Sequence, residues 1–267
     1  MTNENDRVGQ HNAKFWDQEA IEQRPWSRPV SSELISAAKQ GDWRVHITKK
    51  PLPTSWLPQD IKGKDILCLA SAGGQQAPIL AAAGANVTVF DISAKQLELD
   101  KMVASRDNLS ITTLQGDMTD LSAIQDDSFD YIIHPISNIY VPDVSPVWHE
   151  CYRVLRERGV LLASFYNPIL FIFDRNAELA EKGLLKPTYT IPYSDISSLP
   201  SDKYQQKEAA GESICFGHSL SDQIDGQCRA GLMVVGLYED EHPSPRFLIE
   251  KFTPTMIATK SVKLSKV

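Results

Sequence analysis

Residues 65–76 read Asp-Ile-Leu-Cys-Leu-Ala-Ser-Ala-Gly-Gly-Gln-Gln. An apolar run of strand length passes into a turn of small residues, then into the Ala-rich stretch 77–85. An unbroken apolar run suits a strand buried on both faces, as in a parallel sheet covered by helices. The Ala-rich stretch reads as a helix terminated at Gly84, because glycine adopts the left-handed conformation that ends helices. Small residues in the turn let a ligand approach the backbone, and the helix N-terminus faces it.

The same alternation continues outward. NVTVFDI (86–92) is a strand and SAKQLELDKMVAS (93–105) a helix capped by Ser93; SITTLQGD (110–117) and DSFDYIIHPI (127–136) are strands. SPVWHECYRVLR (145–156) is a helix and GVLLASFYN (159–167) a strand. Strands alternating with helices predict a doubly wound, mostly parallel α/β sheet. Alternation breaks over 168–218, which holds several prolines and short β-like pieces (TYTIPY, SICFGHS) and reads as an insertion after the fifth strand. SLSDQIDGQCRAG (219–231) is a helix; LMVVGLYED (232–240) and TPTMIATKSVKL (253–264) follow without a helical crossover, as an antiparallel edge pair. That makes seven strands, with SVKLSKV (261–267) as a strand end and tail. Upstream, HNAKFWDQEAIEQ (11–23) reads as an amphipathic helix with Phe15, Trp16 and Ala20 on one side. A second helix follows the Ser31/Ser32 caps, 42–50 is a short extended piece, and Pro51, Pro53 and Pro58 mark a turn-rich connection. The organisation expected is a helical lid segment at 1–60 and the main domain at 61–267, with its insertion at about 168–218.

The chain has 267 residues, 27 basic and 34 acidic, for a net charge of −7; 42% are hydrophobic and 23% charged. That balance is globular, and the acidic excess disfavours nucleic acid as a partner. Cys68, Cys151, Cys215 and Cys228 show neither a C-x-x-C pair nor zinc-ligand spacing, so they read as reduced thiols and no metal is expected. MTNENDRVGQHN (1–12) lacks the apolar core of a signal peptide. No stretch approaches the ~18 apolar residues a membrane span requires. The expected place is the cytoplasm, without membrane contact.

Three strand ends carry the chemistry. The turn 70–76 follows the first strand. Asp91, ending the second, can accept hydrogen bonds from both hydroxyls of a ribose; alone it would read as a helix N-terminal acid. Asp117, after the third, can accept from an adenine amino group with Met118 against the ring, or serve as a turn residue. Ligands bind at the carboxyl ends of such strands, so these belong to one crevice. Neither G-x-G-x-x-G nor G-x-x-x-x-G-K-[ST] is present, which argues against a dinucleotide pyrophosphate or P-loop site.

Residues 62–166 resemble the class I S-adenosylmethionine-dependent methyltransferases. LCLASAGGQQ (67–76) resembles their first motif, Asp91 their ribose acid, and Leu114-Gln115-Gly116-Asp117 through Leu121 their LxGDxxxL segment. DDSFDYIIHP (126–135) and CYRVLRERGVLLAS (151–164) resemble the fourth- and fifth-strand signatures. The resemblance implies a Rossmann-like sheet with an antiparallel edge strand, and S-adenosyl-L-methionine as cofactor. It implies donor contacts from Ala70, Ser71, Ala72, Gly73, Gly74 and Gln76, from Asp91 and Ile92, and from Gly116, Asp117, Met118 and His134. Cys68 stands where the family commonly has an acid, and Ala70 and Ala72 where it has glycines. A positive φ would cost each alanine of order 1 kcal/mol.

Methyl transfer from a sulfonium is an in-line displacement in which the protein aligns the acceptor and excludes water. A general base is needed only when the acceptor must lose a proton early. His134 could be that base, position the donor, or simply pack. His218, after the insertion expected to cover the acceptor, is a second base candidate or a capping histidine. Asn138 and Tyr140 line the acceptor pocket, or cap a turn and pack. His149 lacks the second histidine of H-E-x-x-H and reads as structural. Phe15, Trp16, Trp26 and Trp43 form an aromatic N-terminal group suited to covering the donor or to plain packing, and Lys49 with Lys50 makes only a small basic spot. The reading favoured is methyl transfer to a small-molecule acceptor. An RNA or protein methyltransferase, a nicotinamide-linked reductase and a non-catalytic donor-binding protein remain open alternatives.

Overall fold

The structure is a computed structural model that describes residues 4–264; residues 1–3 and the tail residues 265–267 lie outside the described residues. Helix α1 (Glu4–Ile21) and helix α2 (Ser32–Lys39) precede the sheet. The sheet core runs β1 (Asp65–Leu69), α3 (Gln76–Ala82), β2 (Asn86–Asp91), α4 (Ala94–Asp107), β3 (Ile111–Gln115), β4 (Phe129–His134), α5 (Ser145–Val154) and β5 (Leu155–Tyr166). The insertion holds α6 (Ala177–Glu181), β6 (Tyr193–Ser194), α7 (Asp195–Ser198), α8 (Ser201–Ala209) and β7 (Phe216–Gly217). Helix α9 (Gly226–Arg229), β8 (Leu232–Asp240) and β9 (Met256–Lys263) complete the chain.

The seven-stranded sheet has the order β3-β2-β1-β4-β5-β9-β8. β1 to β5 are mutually parallel, and β9 runs antiparallel between β5 and the edge strand β8. Successive residues of β1 serve opposite faces, as the period of two requires. Ile66 and Cys68 pack with Trp43, Val45, Trp56 and Leu80 on one face. Leu67 and Leu69 pack with Trp148, Cys151 and Val154 of α5 on the other. Both faces are covered, so strands of continuous apolar sequence are buried without alternation.

Local caps agree with the sequence. Ser31 and Ser93 accept from the amides of Leu34 and Gln96, and Gly84 has φ +99° just past α3. Other expectations shift. α1 begins at Glu4, well before His11; Val8 packs on Ile214 and Phe216, and Arg7 donates to the Tyr204 hydroxyl at 3.1 Å. Segment 42–50 joins no sheet; Trp43, Val45 and Ile47 are instead plugs in the core. The helix expected through Arg156 stops at Val154, and β5 starts at Leu155, opposite Phe129. A bulge then skips to Val160 opposite Tyr131, with Arg158 at φ +62°. The expected helix 219–231 opens with a π turn at Ser221–Asp225 before α9. Of TYTIPY and SICFGHS, only the ends pair, Tyr193 with Gly217 and Ser194 with Phe216.

Candidate functional site

The ends of β1 to β5 and the start of β9 open on one cavity of about 350 Å³. Its floor includes Ala70, Ser71, Ala72, Gln76, Asp91 and Ile92, with Gly116, Asp117 and Met118 beside them. Their convergence follows from the parallel register, Leu69 opposite Phe90 and Asp91 opposite Gln115.

The turn after β1 is held from behind. Ala70 and Ala72 have φ +45° and +61°, a region that costs an L-residue roughly 1–2 kcal/mol. Helix α4 supplies the restraint: Gln96 Oε1 accepts from the Gly73 amide at 2.7 Å, and Asp100 Oδ1 from the Gly74 amide at 2.8 Å. Gln96 Nε2 also donates to Ser27 Oγ at 2.6 Å and to Trp16 O at 3.2 Å. One buried amide thus ties the turn to the N-terminal segment. These bonds correct the expectation for Gly73 and Gly74. Their amides point toward α4, and neither glycine lines the cavity. Gly73 is glycine because a Cβ there would stand 1.9 Å from the Gln96 carbonyl oxygen.

Two buried acids lie under the turn. Burial pushes the Asp91 carboxyl up to about 7, aided by the nearby Asp17 charge and opposed by the Ser93 amide, which donates to Oδ1 at 2.9 Å. Burial likewise pushes Asp100 up to about 8, and its Oδ2 is buried without a hydrogen-bond partner. Asp117 is arranged differently. Its Oδ1 accepts from the Thr119 amide and hydroxyl at 2.8 and 2.7 Å. Gly9 of α1 lies over it, where a Cβ would be 3.3 Å from Oδ2.

The N-terminal segment forms the opposite wall with Gly9, Asn12, Trp16, Pro25 and Trp26, and with residues 46–49. Trp16 meets Tyr140 edge-on at 5.4 Å. Asn12 pairs with both backbone groups of Ile214 and donates to Tyr140 O at 3.2 Å. Among the described residues, none of 168–218 lines the cavity. The insertion, which the sequence placed over the acceptor, instead packs behind the cover. Leu170, Phe171 and Tyr193 pack behind Tyr166 and Ile139, and Ile214 and Phe216 pack on Val8 of α1.

Both base candidates lie behind the cavity wall. His134 is fully buried; Nε2 lies 2.8 Å from Asn138 Oδ1, and Nδ1 lies 3.1 Å from Leu69 O and 3.4 Å from Ser137 Oγ. His218 Nε2 lies 2.9 Å from Asn138 O. Burial lowers the pKa of both rings, and neither lines the cavity. Asn138 lies with them: its side chain spans His134 and Gln223 (2.9 Å) in the interior. Tyr140 does line the cavity, whereas Trp43 belongs to the core.

The cavity wall carries His46, from the segment 42–50 whose sequence predicts only a short extended piece. Its backbone amide donates to Gln76 Oε1 at 2.9 Å, which fixes the segment against α3. The ring is half-buried, and burial lowers its pKa against the weaker raising effect of Asp240. Thr48, Tyr166 and Met256 were missed as well. Tyr166 could have been found, since it ends a parallel strand where ligands bind. His46 and Thr48 carried no local signal.

Known proteins agree with this arrangement. A family model described as a methyltransferase domain matches residues 67–163. A Bacillus subtilis (strain 168) protein, the uncharacterized methyltransferase YbaJ, is 47% identical over 95% of this chain and 98% of its own length. A ubiquinone biosynthesis O-methyltransferase of Actinobacillus pleuropneumoniae is 30% identical over 47% of this chain and 56% of the relative. A solved structure of a putative S-adenosylmethionine-dependent methyltransferase from Listeria monocytogenes superposes with a TM-score of 0.58 at 20% identity, over 79% of this chain and 96% of that one, a likeness of fold. The near full-length likeness to YbaJ, on a sheet of this order, makes the chain a member of the class I S-adenosylmethionine-dependent methyltransferases.

Proposed function

We propose that the protein transfers a methyl group from S-adenosylmethionine to an oxygen of a small-molecule acceptor. The observation that carries this reading is the cavity: the strand-end acids and the small-residue turn share it with Trp16, Tyr140 and Tyr166, under a cover tied down by Asn12 and Gln96. A cavity walled in this way suits a small acceptor better than a polymer. The relative named as an O-methyltransferase supports oxygen as the acceptor atom.

The wall residues fit the donor. Asp91 is a buried carboxyl with no cation against it among the described residues, its pKa pushed up to about 7, and two ribose hydroxyls donating to it would relieve that burial. Asp117 Oδ2, with Gly9 leaving space above it, accepts from the adenine amino group while Met118 and Ile92 pack on the rings. Ala70, Ser71, Ala72 and Gln76, with the Gly116 backbone, bound the rest of the donor, and Gly73 and Gly74 hold the turn's shape. When bound, S-adenosylmethionine supplies a sulfonium-activated methyl group. The described part of the N-terminal segment, through Gly9, Asn12, Trp16, Pro25, Trp26 and residues 46–49, serves as the cover and excludes water from the transfer. His46, neutral near pH 7, accepts the acceptor's hydroxyl proton; Tyr140 and Trp16 orient the acceptor. His134 and His218 hold the β4 end and the Asn138 turn in place.

Calorimetric titration with S-adenosylhomocysteine, followed by an acceptor screen scored by mass spectrometry, tests the reading. Micromolar nucleoside binding and a +14 Da product on a small hydroxyl compound are expected (roughly the mass of one CH₂, in a cavity of drug-sized scale). Methylation of RNA or protein alone would overturn it.

A further inference from the structure

The end of the cavity away from Asp91 and Asp117 holds a feature that methyl transfer itself does not require. Lys49 lines this end, with its ammonium 3.6 Å from the centroid of the Trp26 ring. Among the described residues no carboxylate lies within 4.0 Å of it. The Asp240 carboxylate is engaged by the Lys50 amide at 2.8 Å and the Lys50 ammonium at 3.9 Å. Arg246 stands nearby and is itself paired with Glu250 at 2.8 Å. Arg246 Nη1 donates to the Tyr166 hydroxyl at 3.1 Å, which leaves the Tyr166 proton free to be donated into the cavity.

The environment works against the Lys49 charge. Burial and the Arg246 guanidinium both lower its pKa, and only the Asp240 carboxylate raises it. The indole face offsets part of that cost. A partly buried ammonium without an ion-pair partner, on the wall of a cavity, is stabilised when an anion enters beside it. The cavity's acids, Asp91 and Asp117, stand at the ends of β2 and β3 instead. The Trp26 ring stands against Lys49, and Tyr166, Tyr140 and Trp16 line the same cavity.

We propose that this end of the cavity is an acceptor subsite for an aromatic compound carrying a negative charge, with Lys49 and the Tyr166 hydroxyl binding the anionic group between aromatic walls. The inference rests on the methyl-transfer reading and narrows its acceptor to aromatic acids bearing a hydroxyl. The step balances within that reading. The hydroxyl oxygen's lone pair forms the new O–C bond, the S–C bond breaks and its electron pair returns to sulfur, and the hydroxyl proton passes to His46 and on to water. The anionic group stays on Lys49 throughout.

Three probes of similar size and different charge test it: benzoate, benzyl alcohol and benzylamine. Their binding is followed by ligand-observed NMR on the full chain, with and without S-adenosylhomocysteine. Benzoate is expected to bind at least tenfold more tightly than benzyl alcohol, and benzylamine least. In Lys49→Gln that preference is expected to vanish while S-adenosylhomocysteine affinity stays within twofold; Lys49→Arg should restore it. Equal binding of the three probes, or a benzoate preference that survives in Lys49→Gln, overturns the inference and leaves the donor assignment standing. Failure of S-adenosylhomocysteine to bind the unaltered protein overturns the donor assignment instead, since the probe preference is also scored without it.

Discussion

Asp91→Asn should stabilise the ligand-free protein and weaken donor binding in the same molecule. Burial raises the Asp91 carboxyl from 3.8 to about 7. At 1.36 kcal/mol per unit, ionising it in the folded state costs up to about 4 kcal/mol. The folded state therefore holds a proton that the unfolded state has released between pH 3.8 and about 7, so the stability of the unaltered protein falls across that window and levels off above it. Asparagine has no charge to bury and keeps an oxygen for the Ser93 amide. The stability gap between variant and unaltered protein should accordingly widen by about 2 kcal/mol from pH 5.5 to 8.5. Asp100 adds to it, because the Asp91 charge helps to raise its pKa. A carboxylate receiving ligand hydroxyls contributes about 1.5–3 kcal/mol per bond, so S-adenosylhomocysteine should bind the variant roughly 30-fold more weakly. Urea denaturation at the two pH values and calorimetry on the same preparations read both effects. A gap independent of pH would refute the burial argument, and unchanged nucleoside affinity would refute the placement of the donor on Asp91.

Other substitutions separate the cavity wall from the groups behind it. His46→Gln should lower kcat by about 10²-fold, as loss of a proton acceptor does, with S-adenosylhomocysteine affinity unchanged; the limb of the pH–rate profile rising below pH 6.5 should disappear with it, because burial lowers the His46 pKa. An unaltered profile would remove His46 from the chemistry. His218→Ala, in contrast, should lower stability by about 2 kcal/mol through the lost contact with Asn138 O, with nucleoside affinity kept; a purely kinetic defect would return His218 to the site. Gly73→Ala should destabilise by upward of about 3 kcal/mol, since its methyl group meets the Gln96 backbone, and a normal melting temperature would mean that the turn and α4 are not locked as described.

Some features could be read directly from the chain and others could not, for reasons that lie in the range of the interactions. Strand and helix order, the caps Ser31 and Ser93, the terminator Gly84 and the grouping of Asp91 with Asp117 are set by residues adjacent in sequence and by the register of a parallel sheet. What each polar side chain does depends on groups far along the chain. His134 and Asn138 have motif positions that suggest chemistry, yet Leu69 and Gln223 occupy them. Gly73 looks like a ligand cradle until Gln96 is brought against it. His46 and Lys49 lie in a stretch whose alternation marks Trp43, Val45 and Ile47 for the core but carries no ligand motif, and they reach the cavity because Gln76 and Trp26 hold that stretch there. The sequence by itself determined the α/β sheet, its family and the strand ends that meet in the cavity, because periodicity and turn chemistry are local. Tertiary structure alone decided which histidine faces the cavity and where its unpaired positive charge stands, because burial and hydrogen-bond occupancy arise only when distant segments meet.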